Sequence, residues 1–145
     1  MIGSRRQVMT DSLYMYTDAA HNQFADLSGY GIVFDRRTRR EFLSGCLPLE
    51  SIDRTELHAV VLGLRQIGEP SAVVVYTDSL YVLGRWAGRQ GNGDLWYQLD
   101  RLCRKHDVQM RHVKAHSGDE FNELADRLAR EATYGNFVKT FRLWV

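Results

Sequence analysis

Cysteine is scarce in this chain, and the two present, Cys46 and Cys103, stand at no metal-ligand spacing. Thiols used so sparingly suit a reducing compartment, and the protein reads as cytoplasmic. An excess of one charge is also missing. Lys and Arg number 19 against 18 Asp and Glu, for a formal net charge of +1. The global basic surplus of many nucleic-acid binders is therefore absent, and any attraction for phosphates must come from local clusters. No apolar run approaches the ~20 residues that a membrane span requires. Met1 to Thr10 carries Arg5 and Arg6 with no apolar stretch behind them, unlike a secretory signal. No repeat period and no low-complexity tract is found, which argues against solenoid architectures. What remains is an ordinary globular composition, 44% hydrophobic and 26% charged over 145 residues, enough for one domain, 1–145, around one core.

Patterning supplies an element order. Leu13 to Thr17 is rich in strand formers and ends at Asp18. A polar stretch, Ala19 to Ser28, precedes a second strand, Gly29 to Phe34. Arg36, Arg37, Arg39 and Arg40 then read as a solvated hairpin tip leading to a third strand, Glu41 to Leu47, closed by Pro48. Leu57, Val60, Val61 and Leu64 recur at helical spacing, and Gly68 and Pro70 end that helix. Ala72 to Tyr76 is an unbroken apolar run, as in a strand covered on both faces. A helix from Ser79 breaks in the glycine-rich Gly84 to Gly93, and a further helix carries Leu95, Leu99, Leu102 and Cys103. Val108 to Val113 is a last strand. The final helix, with Phe121, Leu124, Ala125, Leu128, Ala129 and Ala132 on one side, is terminated by Gly135-Asn136. The order β-β-β-α-β-α-α-β-α implies an α/β fold, a mixed sheet with helices packed on it. The tail, 136–145, alternates apolar and basic residues and is expected to pack on the domain.

The acids stand out against this frame. Two strands end in the same words, Tyr16-Thr17-Asp18 and Tyr76-Thr77-Asp78. If those strands are parallel neighbours, both aspartates emerge at the carboxyl edge of the sheet, where open α/β sheets bind ligands. Taken singly, each Asp equally suits a helix cap or a turn; the matched pair favours the shared edge. Glu56 and Asp126 border the apolar stripes of their helices, a position from which a carboxylate can turn inward or stay solvated. Unit charges 4 Å apart interact by ~4 kcal/mol at an effective dielectric near 20. Four clustered carboxylates therefore require compensating cations, and hard oxygen ligands select Mg²⁺ or Mn²⁺.

From about Leu13 to Thr133 the chain resembles the type 1 ribonuclease H family. The resemblance rests on Tyr16-Thr17-Asp18, Gly29-Tyr30-Gly31, Arg54-Thr55-Glu56-Leu57, Thr77-Asp78-Ser79, Val113-Lys114-Ala115-His116-Ser117-Gly118, Asn122-Glu123 and Ala125-Asp126. It implies a five-stranded mixed sheet, three antiparallel strands followed by parallel ones, flanked by helices. It also implies an endoribonuclease that cuts the RNA strand of RNA–DNA hybrids with two Mg²⁺ ions (Mn²⁺ as a substitute), leaving 5′-phosphate and 3′-hydroxyl ends. Carried over, Asp18 bridges both ions, Glu56 and Asp78 hold the leaving-group ion, and Asp126 holds the water-side ion. His116, ten residues before Asp126 (126 − 116 = 10), shuttles a proton or assists product release. Substrate contacts fall on Ala19, Ala20 and His21 in the loop after the first Asp, on Ser51, Arg54 and Ser79, and on Asn92, which matches a residue contacting a DNA phosphate. A monomer with no membrane association is implied.

The chain departs from the family in places. Ile52-Asp53 stands where relatives have two asparagines, Leu80 where they have Gln, and Ala19-Ala20 where they have Gly-Ser. Most of the basic, Trp-containing helix of bacterial relatives is missing, leaving Arg85, Trp86 and Arg89 as a reduced version. The competing class is a ribonuclease H-fold binding module, or a reverse-transcriptase-associated domain that needs a partner for activity.

Overall fold

The computed structural model describes residues 12–84 and 91–137. Among them lie five strands and four helices in the expected order. The strands are β1 (Leu13–Asn22), β2 (Leu27–Asp35), β3 (Arg40–Pro48), β4 (Ala72–Thr77) and β5 (Asp107–His112). The helices are α1 (Ile52–Arg65), α2 (Leu80–Gly84), α3 (Gly93–Lys105) and α4 (Glu120–Ala132). One sheet of order β3-β2-β1-β4-β5 joins the strands. Pairing is antiparallel from β1 to β3 and parallel across β1-β4 and β4-β5.

The alternation of β1 divides the molecule into two cores. Leu13 and Met15, with Ile32 and Phe34 of β2 and Val73 and Val75 of β4, form a continuous buried cluster with Leu57, Val60, Val61 and Leu64 of α1 and Leu95, Trp96 and Leu99 of α3. Each such side chain, removed from water, contributes about 1.5–3 kcal/mol before conformational entropy is counted. On the opposite face, Val33, Ala125 and Leu128 are packed by Tyr16, Phe42, Phe121 and Leu124. Here α4 rides very close to β2. A Cβ on Gly31 would lie 2.2 Å from the Ala125 carbonyl oxygen, and one on Gly29 would lie 2.2 Å from that of Ala129. The Gly-Tyr-Gly pair thus sets the height of α4, and with it the position of every side chain that the helix projects.

One boundary differs from the sequence reading. β1 does not end at Asp18, and Ala19 to Ser28 is not a loop. Asp18 to Asn22 pair residue by residue with Gly31 to Leu27, leaving a turn over 23–26. The polar composition hid this extension. Asn22 is buried, its Oδ1 accepting from the Ala25 N–H at 3.2 Å and its Nδ2 donating to the Thr133 carbonyl at 3.4 Å. The arginine-rich segment is the turn between β2 and β3, where Arg36 donates its N–H to the Arg39 carbonyl at 2.9 Å. Arg40 lies 4.8 Å over the Phe121 ring. Arg85, Trp86 and Arg89, and residues 138–145 of the tail, lie outside the described residues.

Candidate metal centre

The site starts from strand register. β1 and β4 pair in parallel from Leu13↔Val73 to Tyr16↔Tyr76. The repeated Tyr-Thr-Asp words are therefore aligned, their tyrosine rings stacked at 4.8 Å and 12°. Thr17 and Thr77 are both fully buried. Asp18 and Asp78 follow, side by side, where β4 has ended and β1 continues paired only with β2.

Glu56 arrives from the other side of the sheet. Its helix opens at Ser51, whose Oγ accepts from the Arg54 N–H at 3.1 Å, and the buried stripe orients the first turn toward the sheet edge. Oxygens of Asp18, Glu56 and Asp78 lie within 4.8 Å of one another. Asp18 and Glu56 are only 5% and 7% exposed. Asp126, from α4, is not one of this close trio, but its negative charge acts on Asp18 and on Asp78. Its Oδ2 accepts from Nε and Nη2 of Arg130 at 3.1 and 2.9 Å.

The electrostatics are those of like charges forced together. Burial, then Asp78, then Asp126 push Asp18 up to about 8, against a lowering hydrogen bond from the Ala19 N–H. Burial, followed by Asp18 and Asp78, raises Glu56 well above the carboxylate range. Asp78 is raised by burial and Asp126, with His116 acting in the opposite direction. Moreover, Glu56 Oε1 is buried with no hydrogen-bond partner among the described residues. A hard divalent cation would supply what this set lacks: it would offset two of the three carboxylate charges and give the orphaned oxygen a partner. The donor set fits Mg²⁺ or Mn²⁺.

The remaining sequence candidates are distributed around this point. His116 is exposed on the β5–α4 loop in a left-handed conformation, φ 54°, and Gly118 at φ 90° donates its N–H to Glu123 at 3.2 Å. Ala19, Ala20 and His21 lie within β1, not in a loop. Ser51 and Ser79 serve as helix caps, the Ser79 Oγ accepting from the Val82 N–H at 3.1 Å. Arg54 is held bidentately by Asp94, at 2.9 and 2.6 Å, and donates to the Asn92 Oδ1 at 3.2 Å. Asn92, in the left-handed region at φ 55°, donates in turn to the Tyr81 hydroxyl at 2.8 Å. Leu80 and Ile52 are 73% and 41% exposed, so these two of the departing positions are apolar surface close in sequence to Asp78 and Glu56. The sequence reading overlooked Arg130, although an acid followed by Arg four residues later on a helix is a readable pair. It also missed Asp94 and Tyr81, which only the fold brings to Arg54 and Asn92.

A five-stranded mixed sheet with helices on both faces and carboxylates gathered at the carboxyl edge of its central strands defines a class of metal-dependent nucleases. Comparison with known proteins is specific. A family model described as RNase H matches residues 9–134. The chain is 38% identical to "Ribonuclease H" of Trichodesmium erythraeum (strain IMS101), over 82% of this chain and 87% of that protein. It is 35% identical to "Ribonuclease HI" of Synechocystis sp. (strain ATCC 27184 / PCC 6803 / Kazusa), over 87% and 90%. A crystal structure of LC9-RNase H1, a type 1 RNase H with the type 2 active-site motif, superimposes with a TM-score of 0.74 at 22% identity, covering 90% of this chain and 78% of that one. The chain belongs to the ribonuclease H family, hydrolases that cut the RNA strand of RNA–DNA hybrids. No helix among the described residues is long and apolar enough to cross a membrane.

Proposed function

We propose that this chain is an endoribonuclease that hydrolyses the RNA strand of RNA–DNA hybrids with two divalent cations, leaving 5′-phosphate and 3′-hydroxyl ends. The observation that carries the reading is the trio Asp18, Glu56 and Asp78, with oxygens within 4.8 Å and one buried oxygen unpartnered. Asp18 would serve both cations, Glu56 and Asp78 would hold the one on the leaving-group side, and Asp126 would hold the one on the water side. Bound there, Mg²⁺ or Mn²⁺ supplies Lewis acidity toward the attacking water and the departing 3′ oxygen.

The chain's own groups do the rest. The rigid β1–β4 register fixes Asp18 and Asp78 relative to each other, so the scissile phosphate meets a preorganised edge. His116, exposed and within electrostatic reach of Asp78, carries the proton to or from the reacting oxygens. The β1 backbone at Ala19, Ala20 and His21 offers the 2′-hydroxyl contacts that separate RNA from DNA. Arg54 and Ser51 order the start of α1 and, through Asn92, a phosphate position on the DNA strand. Ser79 fixes the turn after Asp78.

The test is direct. With Mg²⁺ or Mn²⁺, the isolated chain cuts the RNA of a hybrid and leaves duplex DNA intact; Asp18→Asn and Asp78→Asn retain the fold and lose turnover. Cleavage by either variant at the parent's rate refutes the assignment.

A further inference from the structure

The fourth acid is held by a cation of the protein's own. Asp126 lies 19% exposed on α4, and both Nε and Nη2 of Arg130, one helical turn on, donate to the same oxygen, Oδ2. Arg130 is itself 59% exposed, and the negative charge of Asp18 acts on it as well as that of Asp126. The guanidinium therefore lies beside the carboxylate cluster, bonded to its fourth acid. Among the described residues Asp18, Glu56 and Asp78 form no such ion pair, and Glu56 Oε1 has no hydrogen-bond partner.

We propose that Arg130 is a positioning residue that sets the affinity of the second cation site by occupying the Oδ2 of Asp126. This rests on the reading that Asp126 takes part in cation binding. The physical reason is competition for one carboxylate. A divalent ion held by Asp126 would either displace the guanidinium from Oδ2 or share the carboxylate with it at close range, and both alternatives oppose binding. The trio, with no such competitor among the described residues, takes its ion without that penalty. The two sites of one cluster are thereby made unequal by a residue that ligates neither ion. Without nucleic acid the first is filled and the second remains largely open, with Asp126 held in place by Arg130 instead of swinging free.

The experiment is a Mn²⁺ titration of the full chain without nucleic acid, with free ion read by electron paramagnetic resonance and heats by calorimetry. The parent binds one ion and, more weakly, a second. Arg130→Met leaves the first affinity unchanged and tightens the second roughly fivefold, the scale of an exposed ion pair. Arg130→Lys, which keeps the charge, stays near the parent, and Asp126→Asn abolishes the second site in either background. A second affinity that is unchanged or weaker in both Arg130→Met and Arg130→Gln, with circular dichroism intact, overturns the proposal. So does an Arg130→Lys that behaves like Arg130→Met. A parent that binds no Mn²⁺ is a different failure, since it removes the metal reading on which the proposal rests.

Discussion

Two polar clusters sit at the two ends of the Glu50–Glu56 segment, and they follow opposite rules. Around Arg54 the groups satisfy one another. Its guanidinium is forked onto Asp94 and bonded to Asn92 and, at 3.3 Å, to Glu50, while Glu50 also meets His58 at 3.1 Å. Tyr81 accepts from Asn92 and from Trp96 Nε1, at 2.8 and 3.2 Å. Half a turn away, Glu56 is buried against two other acids and keeps an oxygen with no donor among the described residues. A closed network of this kind rigidifies what it touches, and here it locks the starts of α1 and α3 together. The open cluster is costly in isolation, and that cost is what a bound cation removes. Perturbed, mutually repelling acids in a fixed frame mark chemistry; mutually satisfied ones mark scaffold.

The sharpest way to break this contrast is to remove charge from the open cluster. Asp18→Asn is expected to lower kcat by about three orders of magnitude, the several kcal/mol that a metal site supplies. The same variant should melt above the parent in EDTA, because a buried repulsion has been removed. Mg²⁺ should raise the melting temperature of the parent but not that of the variant. Thermal scans with and without Mg²⁺ check both; a variant that melts lower in EDTA would mean that Asp18 is a structural partner. His116→Ala comes next in size. It should reduce kcat by about 10²-fold, the lower range for a positioned acid or base, while Mn²⁺ binding without substrate stays unchanged. Loss of Mn²⁺ binding would place His116 among the groups that hold the cation.

Much of this was readable from the chain, for identifiable reasons. Hydrophobic periodicity located α1, α3 and α4, because a helix packed on a sheet must repeat its apolar side at helical spacing. The duplicated Tyr-Thr-Asp implied parallel neighbours, and Tyr16 does face Tyr76 in the register. The distal half of β1 was not readable, since Ala19 to Asn22 resembles a loop until Leu27 to Tyr30 pairs with it. Nor could spacing show that Ser51 and Ser79 cap helices, or that Arg54 meets an aspartate forty residues later. These contacts depend on which elements become neighbours, and local pattern does not encode that. Asp126 is an intermediate case. Its border position was visible, whereas its partition between Asp18 and Arg130 needs the height of α4, which Gly29 and Gly31 set.

A smaller effect tests the satisfied cluster. In a double-mutant cycle, Arg54→Met and Asp94→Asn should each lower the melting temperature, and the double variant by less than the sum. The coupling should be modest and should shrink in concentrated salt, because Asp94 is more than half exposed. The single Asp94→Asn change should also weaken hybrid binding, raising KM more than it lowers kcat, since Asn92 then loses the arginine that orients it. A drop in kcat alone would tie this network to the reacting centre and dissolve the distinction between the two clusters.

The smallest effect concerns a third buried polar group that lies far from both clusters. His106 is 2% exposed; its Nδ1 accepts from the Ser71 N–H at 3.1 Å, and its Nε2 has no hydrogen-bond partner among the described residues. Burial, with Lys105 beside it, lowers its pKa below the usual histidine value. In the unfolded chain the imidazole titrates near ~6.5. Between the lowered folded value and ~6.5 the unfolded state therefore binds more protons, and stability falls as pH falls. The contribution is fully present above ~6.5 and is lost on acidification toward the folded pKa. Urea unfolding at pH 7.5 and 5.5 should show this loss in the parent and a smaller one in His106→Asn, which keeps an acceptor for Ser71 without a proton to gain. The site thus has one protonation state, the neutral one, built into the fold by burial and by the Ser71 N–H. An equal loss in parent and variant would assign the acid sensitivity elsewhere, and leave the carboxylate edge as the place where burial and charge are opposed.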